Sequence, residues 1–339
     1  MSRRRFLKTS ALIGTSVVVG TPGIFGARAQ PAGRTSADGP IRIIMGGYGP
    51  STTSFSRGLK LIGDRLEAKF GDDVDVRYVY NVIDVGYNGG ADLRWLVDSG
   101  VLALAYFTMS TGVPELEVAA LPFLFSDTIE ARAAMDGPLG QAAKSRIEAD
   151  SNFHILGFFE NGFRHVSNSI RPVHTPADLN GLSIRCLGIQ ARLFELLGAE
   201  PRTMSLSAAI PELEAGTIDG QENPFENTVS YGPYRYQRYH TATFHSYLSR
   251  PIFVNRRSFD AWPEDLQAET RAAAQEAVVF QRELHDQAEI DSAAIIREFG
   301  GEIVELTAEQ RTEFVAAVAP IYADARTHYS RELLGLVNL

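Results

Sequence analysis

Hydrophobic and polar positions alternate between two periods along residues 41–107. Ile41–Met45 is a compact apolar run, Val74–Val79 alternates as a strand does, and Val101–Phe107 is a second apolar run. Between them, Ser56–Phe70 repeats apolar side chains at helical spacing, and Trp95–Ser99 has the pattern of a helix end. The order strand, helix, strand, helix, strand predicts a parallel sheet with helices on its faces.

The same two patterns continue through the middle of the chain. Residues 128–150 are helical in pattern, with an interruption near Gly137-Pro138. We expect further strands at Phe153–Phe159, Val166–Ser169, Ser183–Leu187 and around Val254, and short helices at Gln190–Leu197 and Ser207–Ala215.

A long segment, Glu264–Glu298, contains neither Gly nor Pro and is rich in Ala, Glu, Gln and Arg. As a single helix it would extend roughly 50 Å at about 1.5 Å per residue. That length would let it contact two lobes. Two shorter helices, with a break near Asp286–Asp291, are the alternative.

The N-terminus has the three parts of an export signal. Residues 2–8 are basic and include three consecutive arginines, residues 11–25 are apolar, and Ala27-Arg28-Ala29 supplies small residues for a signal peptidase. The arginines followed by Phe-Leu-Lys match a twin-arginine signal. The alternative is a transmembrane anchor, but the apolar part is shorter than the roughly 20 residues that a span needs. We expect residues 1–29 to be a cleaved signal peptide and the mature protein to be periplasmic.

Composition and charge narrow the class of protein. The chain has 339 residues, of which 45% are hydrophobic and 22% charged, as in a globular protein with two domains or two lobes. Its net charge of −9 argues against nucleic acid as the partner. The single cysteine, Cys186, excludes an internal disulfide, and its apolar neighbours favour a buried structural thiol.

The chain shows little catalytic chemistry. It lacks the P-loop, His-Glu-x-x-His, Gly-x-Ser-x-Gly and Ser-x-x-Lys motifs. Gly46-Gly47-Tyr48-Gly49 resembles a dinucleotide fingerprint only loosely, because Thr52 replaces its third glycine. A tight turn that lets a ligand approach the backbone is a better interpretation. We therefore expect a binding protein rather than an enzyme, with no cofactor and no metal site.

Arg185 is the most informative single residue. It ends an apolar strand and directly precedes a helix, where a buried guanidinium needs an anionic partner. A guanidinium can hold a carboxylate through two parallel hydrogen bonds. The partner is therefore either a ligand carboxylate or an internal acid such as Asp219 or Glu222.

Several motifs, in this order, resemble the substrate-binding subunits of tripartite ATP-independent periplasmic (TRAP) transporters of the dicarboxylate-binding type. The resemblance covers nearly the whole mature chain. The matching segments are Leu121–Phe125, Arg164–Ser169, Thr175–Arg185, Leu197–Pro201, Asp219-Gly-Gln-Glu-Asn-Pro224 and Trp262–Leu266.

The resemblance implies an α/β periplasmic binding protein fold. Two lobes close on the ligand about hinge strands and are braced by a long helix that spans both. We expect residues 40–161 plus about 250–289 to form lobe I, and residues 162–249 plus about 290–339 to form lobe II. The family's roles imply that Arg185 pairs with the ligand carboxylate, and that Arg164 and Asn223 assist.

The expected function is capture of a small organic acid for TRAP membrane subunits, by a monomer that touches the membrane only through them. Tyr48 and Phe107 would close over the acid, and His245 would form part of the wall. A component that presents ligand to a sensor kinase and an exported hydrolase remain alternatives. Departures from the family pattern at Leu187-Gly188 and Pro211 leave the acid unidentified.

Overall fold

The computed structural model describes residues 39–109 and 111–339. The predicted signal peptide, residues 1–29, lies outside the described residues. The strands, numbered in chain order, are β1 (Ile41–Gly46), β2 (Val74–Val79), β3 (Leu104–Tyr106), β4 (Phe153–Phe163), β5 (His165–Asn168), β6 (Ser183–Cys186), β7 (Glu200–Thr203), β8 (Gly220–Asn223), β9 (Tyr239–Ala242), β10 (Tyr247–Asn255) and β11 (Glu302–Glu305). The helices are α1 (Ser54–Phe70), α2 (Gly90–Asp98), α3 (Pro114–Ala119), α4 (Thr128–Asp136), α5 (Pro138–Asp150), α6 (Ala191–Leu196), α7 (Leu206–Ala215), α8 (Phe225–Ser230), α9 (Arg256–Asp260), α10 (Glu264–Glu298), α11 (Ala308–Ala317), α12 (Ala319–His328) and α13 (Arg331–Gly335).

Five strands form a first sheet in the order β2-β1-β3-β10-β4. β1 is parallel to β2 and β3, as the alternation of strand and helix predicts, whereas β10 runs antiparallel to β3 and β4. Apolar side chains of α1 and α10 cover one face, including Leu59 and Ala274. Helices α2, α3 and α5 cover the other face through Leu93, Leu116 and Leu139. Burial on both faces explains why the central strand β3 is an apolar run, whereas the edge strand β2 alternates.

A second sheet has six strands in the order β11-β9-β5-β8-β6-β7. Ile184 of β6 packs with Phe194 of α6 and with Phe314 of α11. Cys186 belongs to the same cluster and is fully buried, in agreement with a structural thiol.

Besides the connection through helix α10, two direct strand-to-strand crossings join the sheets in the described part of the chain. A single residue, Arg164, separates β4 from β5, and residues 243–246 separate β9 from β10. The Arg164 N–H donates to Ser246 O at 2.9 Å, and the His245 N–H donates to Arg164 O at 3.1 Å. The crossings therefore lie side by side as a two-stranded connection.

The segment Glu264–Glu298 is one helix, α10, and the alternative with a break near residues 286–291 is wrong. At about 1.5 Å per residue its 35 residues extend about 52 Å. α10 packs against α1 and β4 on the first sheet and against α8 and β11 on the second. Continuous contact along both sheets explains why it needs no break.

Two strands differ in extent from the sequence patterns. The apolar run 101–107 contains only a three-residue strand, β3, while β4 extends beyond Phe159 to Phe163. The division of the chain into lobes stays a prediction. Helix α13, which the predicted division assigns to lobe II, packs through Leu334 beside Val118 and Leu121, which it assigns to lobe I. Within residues 39–109 and 111–339, no helix combines the length and apolar character that a bilayer span requires.

Candidate ligand-binding site

A cavity of about 610 Å³ lies between the two sheets. It receives side chains from both sheets and from the loops that follow their strands. The residues that line it are Tyr48, Pro50, Asn81, Ile83, Asn88, Gly89, Gly90, Phe107, Thr108, Asn161, Arg164, Arg185, Leu187, Ser205, Leu206, Ser207, Ile210, Pro211, Asn223, Asn227, Ser230, Tyr231 and Arg250. This size and the mixture of apolar and polar walls are typical of a site for a small molecule.

The wall of the cavity is cationic although the protein as a whole is acidic. Three arginines, Arg164, Arg185 and Arg250, line it, and among the described residues no Asp or Glu does. Each of these arginines is at most 3% exposed. Charges in so dry a site act more strongly than surface charges, so the cavity attracts an anion.

Arg185 lies on β6 and, within the described residues, has no close carboxylate partner. Its Nε donates to Met204 O at 2.9 Å, and the nearest acid, Glu222, is 4.0 Å from Nη1. Burial lowers the pKa of Arg185 to about 10. The nearby carboxylate of Glu222 offsets this effect only in part, and the positive charge of Arg164 lowers the pKa further. Arg185 is therefore a cation at neutral pH with unused donors.

Arg164 is the arginine that Glu222 neutralises. Its Nη2 donates to Glu222 Oε1 at 2.9 Å, and its Nε donates to Glu222 Oε2. Burial alone would raise the pKa of Glu222, but Arg164 and His245 outweigh it and lower the pKa to about 2. The internal salt bridge considered for Arg185 thus belongs mainly to Arg164.

Asn223 is held in one orientation by its neighbours. Its Oδ1 accepts a hydrogen bond from Arg164 Nη2 at 2.9 Å, and its Nδ2 donates to Gln221 Oε1. Gln221 is in turn anchored by Ser167 at 2.8 Å. Both Asn223, at the end of β8, and Arg164, just before β5, reach the cavity from a polar network that fixes their side chains.

Tyr48 and Phe107 line the same cavity from the first sheet. Tyr48 is held by a backbone bridge to Asn81 and by ring contact with Tyr106 at 5.9 Å between centroids. Phe107 packs edge-on against Phe253 at 5.8 Å. Five of the six predicted site residues are thereby brought to one cavity.

The sixth predicted site residue, His245, lies behind the wall instead of in it. Its Nε2 is 3.4 Å from Glu222, its Nδ1 is 2.8 Å from Thr243 Oγ1, and its ring contacts Phe194. Burial lowers the pKa of His245, which therefore stays neutral. Its position supports Glu222 rather than facing the cavity.

The sequence patterns did not identify Arg250, which faces the cavity from β10. The nine residues of β10 are all buried, so its arginine, like Arg185, is a buried cation that needs an anionic partner. An arginine within the largely apolar run Tyr-Leu-Ser-Arg-Pro-Ile-Phe-Val-Asn could have indicated this from the sequence. It was missed because the run lies outside the motifs that carried the family resemblance.

The amino-acid sequence of this chain is similar to those of several known proteins. Residues 88–328 match the family model of the bacterial extracellular solute-binding proteins, family 7. A solute-binding protein of Verminephrobacter eiseniae is 34% identical over 224 residues, which are 66% of this chain and 66% of that protein. The 2,3-diketo-L-gulonate-binding periplasmic protein YiaO of Escherichia coli is 34% identical over 195 residues, 56% of this chain and 58% of YiaO. The alignment thus spans less than two thirds of the length of these relatives.

A solved structure has the same architecture over most of both chains. It is a TRAP periplasmic solute-binding protein from Chromohalobacter salexigens with bound D-glucuronate, with a TM-score of 0.80 and 26% identity. The match covers 87% of this chain and 97% of that one. Together with the family match, this likeness establishes the α/β binding-protein fold. The chain therefore belongs to family 7 of the bacterial extracellular solute-binding proteins, the TRAP solute-binding family that its sequence motifs resemble.

Proposed function

We propose that this protein captures a small organic acid in the cavity between its sheets and delivers it to the membrane subunits of a TRAP transporter. The observation that carries the proposal is the cavity wall, which holds three buried arginines and, within the described residues, no acid. A desolvated cationic wall favours an anionic ligand over a neutral one of the same shape.

Arg185 is the residue that we assign to the ligand carboxylate. Its carboxylate contact is incomplete at 4.0 Å, and its guanidinium retains free donors for a two-pronged hydrogen bond. Arg164 and Asn223 would add donors from the side, with Glu222 holding Arg164 in place. His245 would act indirectly, by supporting Glu222.

The ligands named for two relatives support an acid. YiaO is described as binding 2,3-diketo-L-gulonate, and the Chromohalobacter salexigens protein holds D-glucuronate. Both compounds are sugar acids with one carboxylate. The proposal for this chain extends only to the shared chemistry, a carboxylate on a small polar body.

Binding is proposed to couple to closure of two lobes. Lobe I would comprise residues 40–161 plus about 250–289, and lobe II residues 162–249 plus about 290–339. The paired crossings at Arg164 and at residues 243–246 are the natural hinge, since only two strands connect the sheets there. Tyr48 and Phe107 would then approach the ligand from the side opposite Arg185.

We also propose that residues 1–29 direct twin-arginine export and that the mature protein acts in the periplasm. Replacing Arg3, Arg4 and Arg5 with Lys should leave the precursor in the cytoplasm, as measured by cell fractionation and immunoblotting. Normal processing of this variant would contradict twin-arginine export and leave the binding function untouched.

A thermal-shift screen tests the function directly. Small acids, including D-glucuronate, D-gluconate and succinate, are compared with D-glucose and glycerol as uncharged controls. An acid present at 100 times its Kd should stabilise the protein by about 2.7 kcal/mol, while the neutral compounds should not. Stabilisation by neutral sugars alone, or turnover of a stabilising acid, would contradict the proposal and favour a different binding class or a hydrolase.

A further inference from the structure

Helix α8 contacts both the ligand cavity and helix α1. It follows strand β8 of the six-stranded sheet, and its residues Asn227 and Ser230 line the cavity together with Tyr231, the residue after it. Glu226, in the first turn of α8, is 3% exposed and does not line the cavity. One side of α8 is therefore available to a ligand, while its carboxylate is engaged inside the protein.

The carboxylate of Glu226 joins α8 to Ser54, the first residue of α1. The Ser54 N–H donates to Glu226 Oε1 at 2.9 Å, and the Ser54 hydroxyl donates to Oε2 at 3.0 Å. His285 of α10 contacts the same carboxylate at 2.8 Å, and Gln281 Nε2 donates to Ser54 Oγ at 3.1 Å. Because hydrogen bonds to a charged carboxylate are stronger than those between neutral groups, this buried contact links the second sheet firmly to the helix that covers the first.

A second contact of the same kind lies at Tyr231, directly after α8. Its ring stacks on that of Tyr48 with 6.5 Å between the centroids. A Cβ atom at Gly49 would lie 2.7 Å from the Tyr231 hydroxyl oxygen and 3.3 Å from Cζ. The φ of Gly49 lies outside the left-handed region, so its backbone conformation does not by itself demand glycine. What demands glycine is the space that the tyrosine hydroxyl occupies.

Both contacts fall on one stretch of the chain, residues 48–54. Tyr48 and Pro50 of this stretch line the cavity from the side of the first sheet, and Asn227 and Tyr231 line it from the side of the second. A shift of the stretch relative to α8 would therefore change the distance between groups that face a ligand from two sides. Gly49, Ser54, Glu226 and Tyr231 are together called the α8 junction.

We propose that Gly49, Ser54 and Glu226 are positioning residues for ligand binding. Through the α8 junction they hold α8 against residues 48–54, and so set the spacing between the two sides of the cavity without touching the ligand. A site that is held at the right spacing before binding loses less free energy to ordering when the ligand arrives. This inference rests on the proposed acid-binding function and adds residues that determine affinity from outside the cavity.

Gly49→Ala tests the junction, because the added methyl group meets the Tyr231 hydroxyl. D-Glucuronate, D-gluconate and succinate are the probes, and the one that most stabilises the wild type is titrated by calorimetry at pH 7.5. Gly49→Ala should weaken Kd by about tenfold or more. In a Tyr231→Phe background the same change should weaken Kd by less than about threefold, because the atom that the methyl group meets first is gone.

Two further variants separate positioning from loss of the fold. Gly335→Ala is the matched control, since a Cβ atom there meets no atom within 4 Å, and it should bind as the wild type does. Ser54→Ala adds no atoms and removes only the hydroxyl donor to Glu226, so it tests the junction even where Gly49→Ala does not fold. It should weaken Kd by roughly threefold to tenfold. Melting curves of the empty proteins show that each variant is folded, and rescue by Tyr231→Phe is a result that general destabilisation would not give.

Wild-type affinity in Ser54→Ala and in every Gly49→Ala protein that folds would overturn the inference. So would a loss of affinity in Gly49→Ala that is equal in both backgrounds, because Tyr231 would then not be the group displaced. The proposed function survives either result, since the wild type still binds its acid. A wild type that binds none of the three acids would overturn the proposed function and the inference together.

Discussion

Three arginines share one cavity, but their charges are compensated to different degrees. Glu222 takes two hydrogen bonds from Arg164, lies 4.0 Å from Arg185, and forms no ion pair with Arg250. The charge left over is therefore on Arg185 and Arg250. Such burial of uncompensated charge costs stability in the empty protein and is recovered when an anion binds.

Glu222 gives a direct test of this division of charge. Glu222→Gln leaves Arg164 buried without its anion, so the free energy of unfolding at pH 7 should fall by about 3–5 kcal/mol. Because the folded-state pKa of Glu222 is about 2, its contribution is fully present above pH 4.5 and is lost as the pH falls towards 2. Urea denaturation followed by circular dichroism at pH 7, 4.5 and 3 measures both effects.

The matched control for this measurement is Glu195→Gln. Glu195 is exposed and pairs with Arg192 on the surface at 3.2 Å, so its loss should change stability by less than about 0.5 kcal/mol. A Glu222→Gln protein as stable as Glu195→Gln, or one whose deficit does not shrink at pH 3, would contradict the assignment.

The sequence identified the cavity residues unevenly, for physical reasons. Arg185 was recognisable because a strand end followed by a helix leaves a guanidinium few alternatives to an anion. Arg250 carries the same signal inside β10, but its neutral partners Asn161 and Thr108 come from distant parts of the chain. The position of His245 behind Glu222 depends on how the two crossings pack, which no local pattern contains.

At the scale of elements, a polar cluster ties helix α1 to helices α8 and α10. Glu226 at the start of α8 accepts hydrogen bonds from the backbone N–H and hydroxyl of Ser54, the first residue of α1, at 2.9 and 3.0 Å. His285 of α10 contacts the same carboxylate at 2.8 Å. The carboxylate thus sits at the positive N-terminal end of α1 and beside a cation.

The pH dependence of this cluster follows from His285. Burial lowers the pKa of His285, but the contact with Glu226 outweighs it and raises the pKa to about 9. A raised pKa contributes stability that is complete below about pH 6.5 and is lost as the pH rises through about 9. Glu226→Gln should lower stability by about 3–5 kcal/mol near pH 6.5 and remove this decline.

Thermal denaturation between pH 6 and pH 10 measures that difference. Glu283→Gln, an exposed position on the same helix, is the control and should follow the wild-type curve. Curves for the wild type and Glu226→Gln that stay parallel across this range would show that the His285–Glu226 contact does not titrate as described.

The element boundaries show which features of the fold a local sequence pattern can predict. The strand β2 and the helix pair α4 and α5 matched their patterns, since alternation and the Gly137-Pro138 break are local signals. The apolar run 101–107 contained only the short strand β3, and its first residue, Val101, is exposed. Whether α10 was one helix or two depended on tertiary contacts with both sheets.

At the scale of the whole molecule, the connection between the sheets consists of two adjacent strands and one long helix. The proposed hinge would rotate one sheet against the other about the two strands of this connection. A ligand that contacts both sheets would favour the proposed closed arrangement, because only there would both sets of contacts be made.

Small-angle X-ray scattering should detect this change. The radius of gyration of the wild type should decrease when a stabilising acid is added at saturation. Arg185→Ala at the same acid concentration serves as the control and should keep the larger radius. A radius that is the same with and without ligand in the wild type would contradict hinge closure.

The most direct test of the central claim is the affinity of Arg185→Ala for the acid that most stabilises the wild type. Loss of the guanidinium from a buried carboxylate should weaken Kd by roughly 30- to 4000-fold, with Arg185→Lys recovering only part of the affinity. Arg202→Ala is the matched control, because Arg202 pairs in register with Arg185 on β7 but is exposed. Calorimetric titration of the three variants, with melting curves of the empty proteins, measures this. We expect a large loss of affinity with no fall in the melting temperature of the empty protein, because the uncompensated charge of Arg185 does not stabilise it. Wild-type affinity in Arg185→Ala would contradict this expectation.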